Sequence, residues 1–258
     1  MEVIVVAEAL DVGVAAAAII ARLVAGKPDA VLGLATGASV EPVYAELARA
    51  HREQALDFSR VTTFNLDEYA GLAPSHPASF HAFMERHLLG HVNVDRRRAH
   101  LPPTQGDDLP RSCERFERDI RAAGGIDLQL LGIGRDGHLG FNEPTSSLAS
   151  RTRIKTLTRL TREANRAAFG GDEVPLHVVT MGIATILEAR HCLLVACGDA
   201  KAHAVAAMVE GPVTAMVPAS ALQMHSHTTV VVDEAAAAKL SLRDYYDEVQ
   251  RNKPAWQR

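Results

Sequence analysis

The sequence predicts an α/β fold, an open and mostly parallel sheet with helices on both faces. Short apolar runs rich in β-branched residues alternate with longer helical patterns along most of the chain, the rhythm of strands joined by crossover helices. The runs are apolar throughout rather than alternating, as strands covered by helices must be. With 258 residues, 47% hydrophobic and 22% charged, the chain has ample material for a core.

Taken in order, strands are expected at residues 3–6, 30–35, 61–66, 128–133, 177–180, 192–197, 215–218 and 228–232. Asp11 is placed to cap a helix ending at Gly26-Lys27-Pro28, and Asp199 one ending at Gly211-Pro212. Val40, Val43, Tyr44 and Leu47 recur at helical spacing behind Ser39, with Pro42 in the first turn. The run 235–238 is a plain helix former. No repeat or linker interrupts the pattern, so one domain over 1–258 is expected.

Composition removes several function classes. Twenty-seven Lys and Arg against 31 Asp and Glu leave a formal charge of -4, so no basic field exists to hold a nucleic-acid backbone. Any anionic ligand is therefore small and bound locally. The apolar stretch 12–25 follows Glu2, Glu8 and Asp11 and is broken by Arg22, unlike a signal peptide or a membrane span. The odd set Cys113, Cys192 and Cys197 has no metal-ligand spacing and reads as core thiols. A cytoplasmic protein without membrane partners follows.

In open parallel sheets, ligands bind beyond the carboxyl ends of the strands. Strand 30–35 runs into Thr36-Gly37-Ala38-Ser39 and then a helix, where backbone N–H groups and the helix dipole favour a phosphate. Gly198-Asp199-Ala200-Lys201 ends strand 192–197 in the same way and adds a lysine. Strand 61–66 delivers Asp67 and Glu68, either of which can act as a base. Gly132-Ile133-Gly134-Arg135-Asp136-Gly137 matches a dinucleotide fingerprint. His138-Leu139-Gly140-Phe141-Asn142-Glu143-Pro144 follows where that motif requires a helix, so the glycines are read instead as folding a tight loop that gathers Asp136, His138 and Glu143. An imidazole between two carboxylates suits proton transfer near neutral pH. Of the cationic run 151–166, one arginine is placed to clamp an anion; Arg96-Arg97-Arg98 reads as surface.

Thr63-Phe64-Asn65-Leu66-Asp67-Glu68-Tyr69, Gly134-Arg135-Asp136-Gly137-His138 with Phe141-Asn142-Glu143-Pro144, and residues 146–157 together resemble the glucosamine-6-phosphate deaminase family over nearly the whole chain. The resemblance implies a Rossmann-like fold of the sugar-phosphate isomerase type. It further implies conversion of D-glucosamine 6-phosphate and water to D-fructose 6-phosphate and ammonium, with no metal or organic cofactor. By this resemblance Asp67 is the enolising base, His138 the ring-opening acid and base, and Asp136 and Glu143 its relay partners. Thr36, Gly37, Ala38, Ser39 and Lys201 become phosphate ligands. Ala38 stands where the family carries a second glycine. The family's phosphate-binding arginine falls by count on Ala167, and Arg166 beside it takes that role. Some members are hexamers activated by N-acetylglucosamine 6-phosphate at subunit boundaries. Ser146, Arg153, Lys155 and Tyr245 match that effector set, so a monomer or a homo-oligomer up to a hexamer is compatible.

Three rivals remain at the level of sequence: a galactosamine-6-phosphate isomerase-deaminase, a 6-phosphogluconolactonase, and a non-catalytic sugar-phosphate sensor. The lactonase needs no enolising segment at Asp67-Glu68-Tyr69. The sensor needs a DNA-binding region, for which strand 3–6 leaves no room at the N-terminus.

Overall fold

The computed structural model of the protein describes residues 1–106 and 108–254. In chain order the first half comprises β1 (Glu2–Val6), α1 (Ala9–Gly26), β2 (Val31–Leu34), α2 (Glu41–Gln54), β3 (Thr62–Asn65), β4 (Asp67–Tyr69), α3 (Phe80–His87), β5 (Ala99–His100), α4 (Leu109–Ala122) and β6 (Leu128–Leu131). There follow β7 (Arg153–Thr156), α5 (Arg159–Asn165), β8 (His177–Thr180), α6 (Ile183–Leu187), β9 (Cys192–Ala196), α7 (Ala202–Val209), β10 (Thr228–Asp233), α8 (Glu234–Ala237) and α9 (Arg243–Arg251).

Among the described residues, seven strands form a parallel sheet in the order β1-β10-β9-β6-β2-β3-β5, with the helices around it. Strands β2, β6, β9 and β10 are buried along their whole length, which is why their sequences are mainly apolar, interrupted only by Gln129 in β6 and by Thr228, Thr229 and Asp233 at the ends of β10. The edge strand β1 is mostly half-buried and begins with Glu2. By length and composition α1 is apolar enough to cross a membrane. Its Val12, Ala16, Ile20 and Val24 instead lie in the main core, each larger side chain stabilising the fold by about 1.5–3 kcal/mol. Asp11 sits inside this helix rather than at its cap, and its carboxylate accepts the Glu8 N–H at 3.1 Å. Likewise α2 opens at Glu41, two residues after Ser39, while Asp199 opens a 3₁₀ turn that leads into α7.

Two strand expectations need correction. Residues 177–180 do form a strand, but it belongs to a second sheet, antiparallel and ordered β4-β8-β7. This small sheet has its own apolar cluster, in which Tyr69 meets Phe80, Phe141 and Phe169 ring to ring. Residues 215–218 form no strand. The Thr214 N–H donates to Ser220 Oγ at 2.8 Å and Thr214 bridges only to Val217, so the segment is a turn leading into the 3₁₀ helix Pro218–Met224. Pro218 has no N–H to offer a sheet.

Candidate active site

From β2 the chain steps outward to β3 and β5, whereas β6, β9 and β10 lie on the other side of β2. The order therefore reverses between β2 and β6, the point at which open sheets of this kind bind ligands beyond the carboxyl ends of their strands. The loops singled out by sequence follow β2, β3, β6 and β9, four adjacent strands.

After β2, Thr36 and Ser39 are half-buried and Gly37 and Ala38 exposed, immediately before the 14-residue helix α2. Fully buried Tyr44 on α2 donates its hydroxyl to the Ala35 carbonyl at 2.5 Å, fixing the point where the loop leaves the strand. After β9, both Asp233 carboxylate oxygens accept the Gly198 N–H at 3.0 Å. Lys201 donates its Nζ to the Ile133 carbonyl at 2.7 Å and so reaches across to the end of β6. Burial, reinforced by nearby Arg135, pushes its pKa below the usual lysine value.

The two acids after β3 have different fates. Glu68 accepts the N–H groups of Tyr69, Phe80 and His81 at 2.8, 3.1 and 2.9 Å, so its carboxylate is committed to the N-terminus of α3. Asp67 is 5% exposed, and burial, then the Glu68 charge, pushes its pKa up to about 8. It pairs across the small sheet with Thr180, whose hydroxyl accepts the Phe141 N–H at 3.1 Å. Gly140 lies against both: a Cβ there would stand 3.1 Å from Asp67 Oδ2 and 2.9 Å from Thr180 Oγ1, at a left-handed φ of 57°. The loop after β6 is thereby laid over the buried carboxyl.

In that loop, the His138 ring lies on the backbone of Gly134, where a Cβ would come within 2.2 Å of the imidazole. No helix opens at Gly137; the Gly137 N–H turns back to the Gly134 carbonyl at 3.1 Å. His138 Nδ1 lies 2.6 Å from Asp136 Oδ1, an ion-pair distance without the direction of a good hydrogen bond. Closeness to the imidazole holds the Asp136 carboxyl below the usual carboxylate range. Glu143 has a different partner from the one expected, since its Oε1 accepts the hydroxyl of Thr161 on α5.

Arg166 is the arginine expected to hold the phosphate. Its side chain is exposed on the 3₁₀ turn Arg166–Phe169, where it lines a cleft of about 320 Å³ with Arg159, Arg162, Glu163 and Asp172. None of the residues lining that cleft belongs to the loops after β2, β6 or β9. Of the expected effector residues, Arg153 and Lys155 stand two apart on β7, both half-buried, and Ser146 is buried. Tyr245 is exposed on α9, its ring against Tyr246. Among the described residues no group of three His, Cys, Asp or Glu side chains clusters as metal ligands would. The sequence placed Tyr44 on a helix face and Thr180 at a strand end without assigning either to the site; Thr161 was passed over, although Thr158-x-x-Thr161, the start of a capped helix, carried a readable signal.

Comparison with known proteins agrees with this architecture. Residues 7–231 match the family model described as glucosamine-6-phosphate isomerases/6-phosphogluconolactonase. The glucosamine-6-phosphate deaminase of Arthrobacter sp. (strain FB24) is 54% identical over 258 residues, covering 100% of this chain and 99% of the relative. That of Streptomyces coelicolor is 52% identical over 259 residues, covering 100% and 99%. A solved structure described as a monomeric glucosamine-6-phosphate deaminase superposes with a TM-score of 0.90 at 44% identity, covering 93% of this chain and 100% of its own. The 6-phosphogluconolactonase from Trypanosoma cruzi shares the fold, with a TM-score of 0.74 at 17% identity over 93% and 97% of the two chains.

Proposed function

Because the chain belongs to the family of glucosamine-6-phosphate isomerases and 6-phosphogluconolactonases, we propose that it is a glucosamine-6-phosphate deaminase. It converts D-glucosamine 6-phosphate and water to D-fructose 6-phosphate and ammonium. The observation that carries this reading is Asp67, a buried carboxyl with a pKa of about 8, beside a neighbour already spent on backbone donors. Moving a proton between two carbons needs such a base, and hydrolysis of a lactone does not.

In this reading the phosphate sits on the backbone N–H groups of residues 36–39 at the start of α2, with Lys201 adding its charge from the turn after β9. His138, steadied by Asp136, passes a proton to the ring oxygen while the C1 hydroxyl loses one, which opens the ring to the aldehyde. Ionised Asp67 takes the proton from C2, and the C1 carbonyl oxygen gains one, giving the enol. Asp67 then returns its proton to C1, leaving an iminium at C2. Water adds there and ammonia departs, with Glu143 and His138 carrying the protons of the oxygen and nitrogen. Its free cysteines fit a cytoplasmic location.

Ammonium release tests the proposal. Turnover of glucosamine 6-phosphate is expected, and turnover confined to galactosamine 6-phosphate or to 6-phosphogluconolactone would overturn it. N-acetylglucosamine 6-phosphate added to the same assay tests the effector reading of Ser146, Arg153, Lys155 and Tyr245. A fall in the substrate concentration needed for half-saturation supports it, and an unchanged curve removes it.

A further inference from the structure

Glu143 and α5 meet through a short chain of hydroxyls. Thr158 caps α5, its Oγ1 accepting the Thr161 N–H at 3.2 Å, and the two threonine hydroxyls lie 2.9 Å apart. Thr161 also touches Glu143 Oε1 through its hydroxyl, and its carbonyl accepts from Asn165 Nδ2 at 2.8 Å. A carboxylate can only accept, so the Thr161 hydrogen must point at Glu143. The Thr158 hydroxyl must then donate to Thr161 Oγ1. The order of protons along the chain is fixed, and each bond polarises the next.

The Glu143 backbone is held separately. Its carbonyl accepts the Ser146 N–H at 3.0 Å, and the Thr145 N–H donates to the Ala215 carbonyl at 2.8 Å. With the main chain fixed by this turn and Oε1 fixed by Thr161, Glu143 Oε2 is left as the oxygen without a protein partner among the described residues.

We propose that Thr161 is a positioning residue, orienting Glu143 so that Oε2 is the oxygen that exchanges protons during turnover. The inference rests on the reading of Glu143 as an acid–base group of the deaminase. A hydroxyl held by a helix cap restricts the carboxylate to one rotamer at little entropic cost, and such supporting contacts set the precision of a catalytic group.

The test uses the full chain with Thr161→Val, Thr161→Ser and Glu143→Gln. Valine keeps the Thr158 cap to the backbone and removes only the hydroxyl. Loss of one hydrogen bond to a charged group predicts a fall in kcat of about 10-fold or more for Thr161→Val, with KM within about twofold of wild type. Thr161→Ser is expected to restore kcat to within about threefold. A merely structural tether would lower the melting temperature and raise KM while leaving kcat unchanged, and that result overturns the proposal. Loss of turnover in Glu143→Gln with wild-type kcat in Thr161→Val refutes the role of Thr161 alone. Wild-type kcat in Glu143→Gln refutes the reading of Glu143 itself.

Discussion

Asp67→Asn should abolish turnover and, above neutral pH, stabilise the protein. The carboxyl titrates near 3.8 when free and near 8 in the folded chain, where burial and then the Glu68 charge oppose its ionisation. Below about pH 4 it is protonated whether the chain is folded or not, and the two states bind the same number of protons. Between 3.8 and about 8 the unfolded chain releases this proton while the folded chain keeps it, so folding stability falls as pH rises and the full loss is reached above 8. At about 1.36 kcal/mol per pH unit the ceiling is roughly 6 kcal/mol. Local relaxation and water entry screen a buried charge, so a gain of roughly 2–4 kcal/mol is expected for the isosteric neutral amide at pH 8.5. Urea unfolding of both proteins at pH 4.5 and 8.5 measures it, read at the midpoint with an unchanged slope. A stability difference that does not widen with pH would refute the burial argument, as would an asparagine variant less stable than wild type at the higher pH.

Other consequences follow from the same geometry. Gly140→Ala places a methyl 3.1 Å from Asp67 Oδ2 at a left-handed φ, and is expected to cost about 1–3 kcal/mol in thermal unfolding and most of the turnover. An active alanine variant of wild-type stability would show that the loop does not rest on Asp67. Lys201→Met removes a cation held by the Ile133 carbonyl, and should raise KM for the sugar phosphate about 10- to 100-fold with a smaller effect on kcat. An unchanged KM would take Lys201 out of the phosphate site. Far from the phosphate site, burial and then His227 and His225 push the His191 pKa down to about 4 from 6.5. The unfolded chain therefore gains a proton first as pH falls from 6.5 toward 4, and stability is lost across that window, roughly 1–2 kcal/mol after allowance for the partly exposed ring. His191→Gln should lose that much less stability between pH 7 and pH 4.5 in parallel melts; identical losses would contradict the assignment.

The parallel sheet was legible because β2 and β9 carry no polar side chain and β10 has Val230–Val232 at its centre, the pattern of strands covered by helices. The small antiparallel sheet was not. Its strands β4 and β7 read Asp-Glu-Tyr and Arg-Ile-Lys-Thr, and its Asp67–Thr180 pairing joins distant parts of the chain, so no local period announces it. The misread strand at 215–218 has the opposite cause: Ala-Met-Val-Pro is apolar, but Met216 is 58% exposed, and the backbone bonds of this segment go to its own turn and to Thr145 rather than to a neighbouring strand. The loops after β2, β6 and β9 were readable from glycine and helix-start chemistry. The partner of Glu143 was not, because the Thr161 hydroxyl comes from another element and spacing carries no information about it.

The division of labour between Asp67 and Glu68 was likewise beyond the reach of the sequence, and it shows what the second sheet contributes. A carboxyl at the end of a parallel strand ordinarily meets water and stays ionised at neutral pH. Here β4 pairs with β8, which carries Thr180 to Asp67, and the loop with Gly140 closes over the pair. The same pairing turns the neighbouring side chain away from Asp67, and Glu68 finds the free N–H groups of α3. One carboxylate is thereby satisfied and the other desolvated. The parallel sheet thus brings the loops after β2, β3, β6 and β9 to neighbouring strand ends, and the small sheet converts an ordinary strand-end acid into a buried carboxyl that titrates near neutrality.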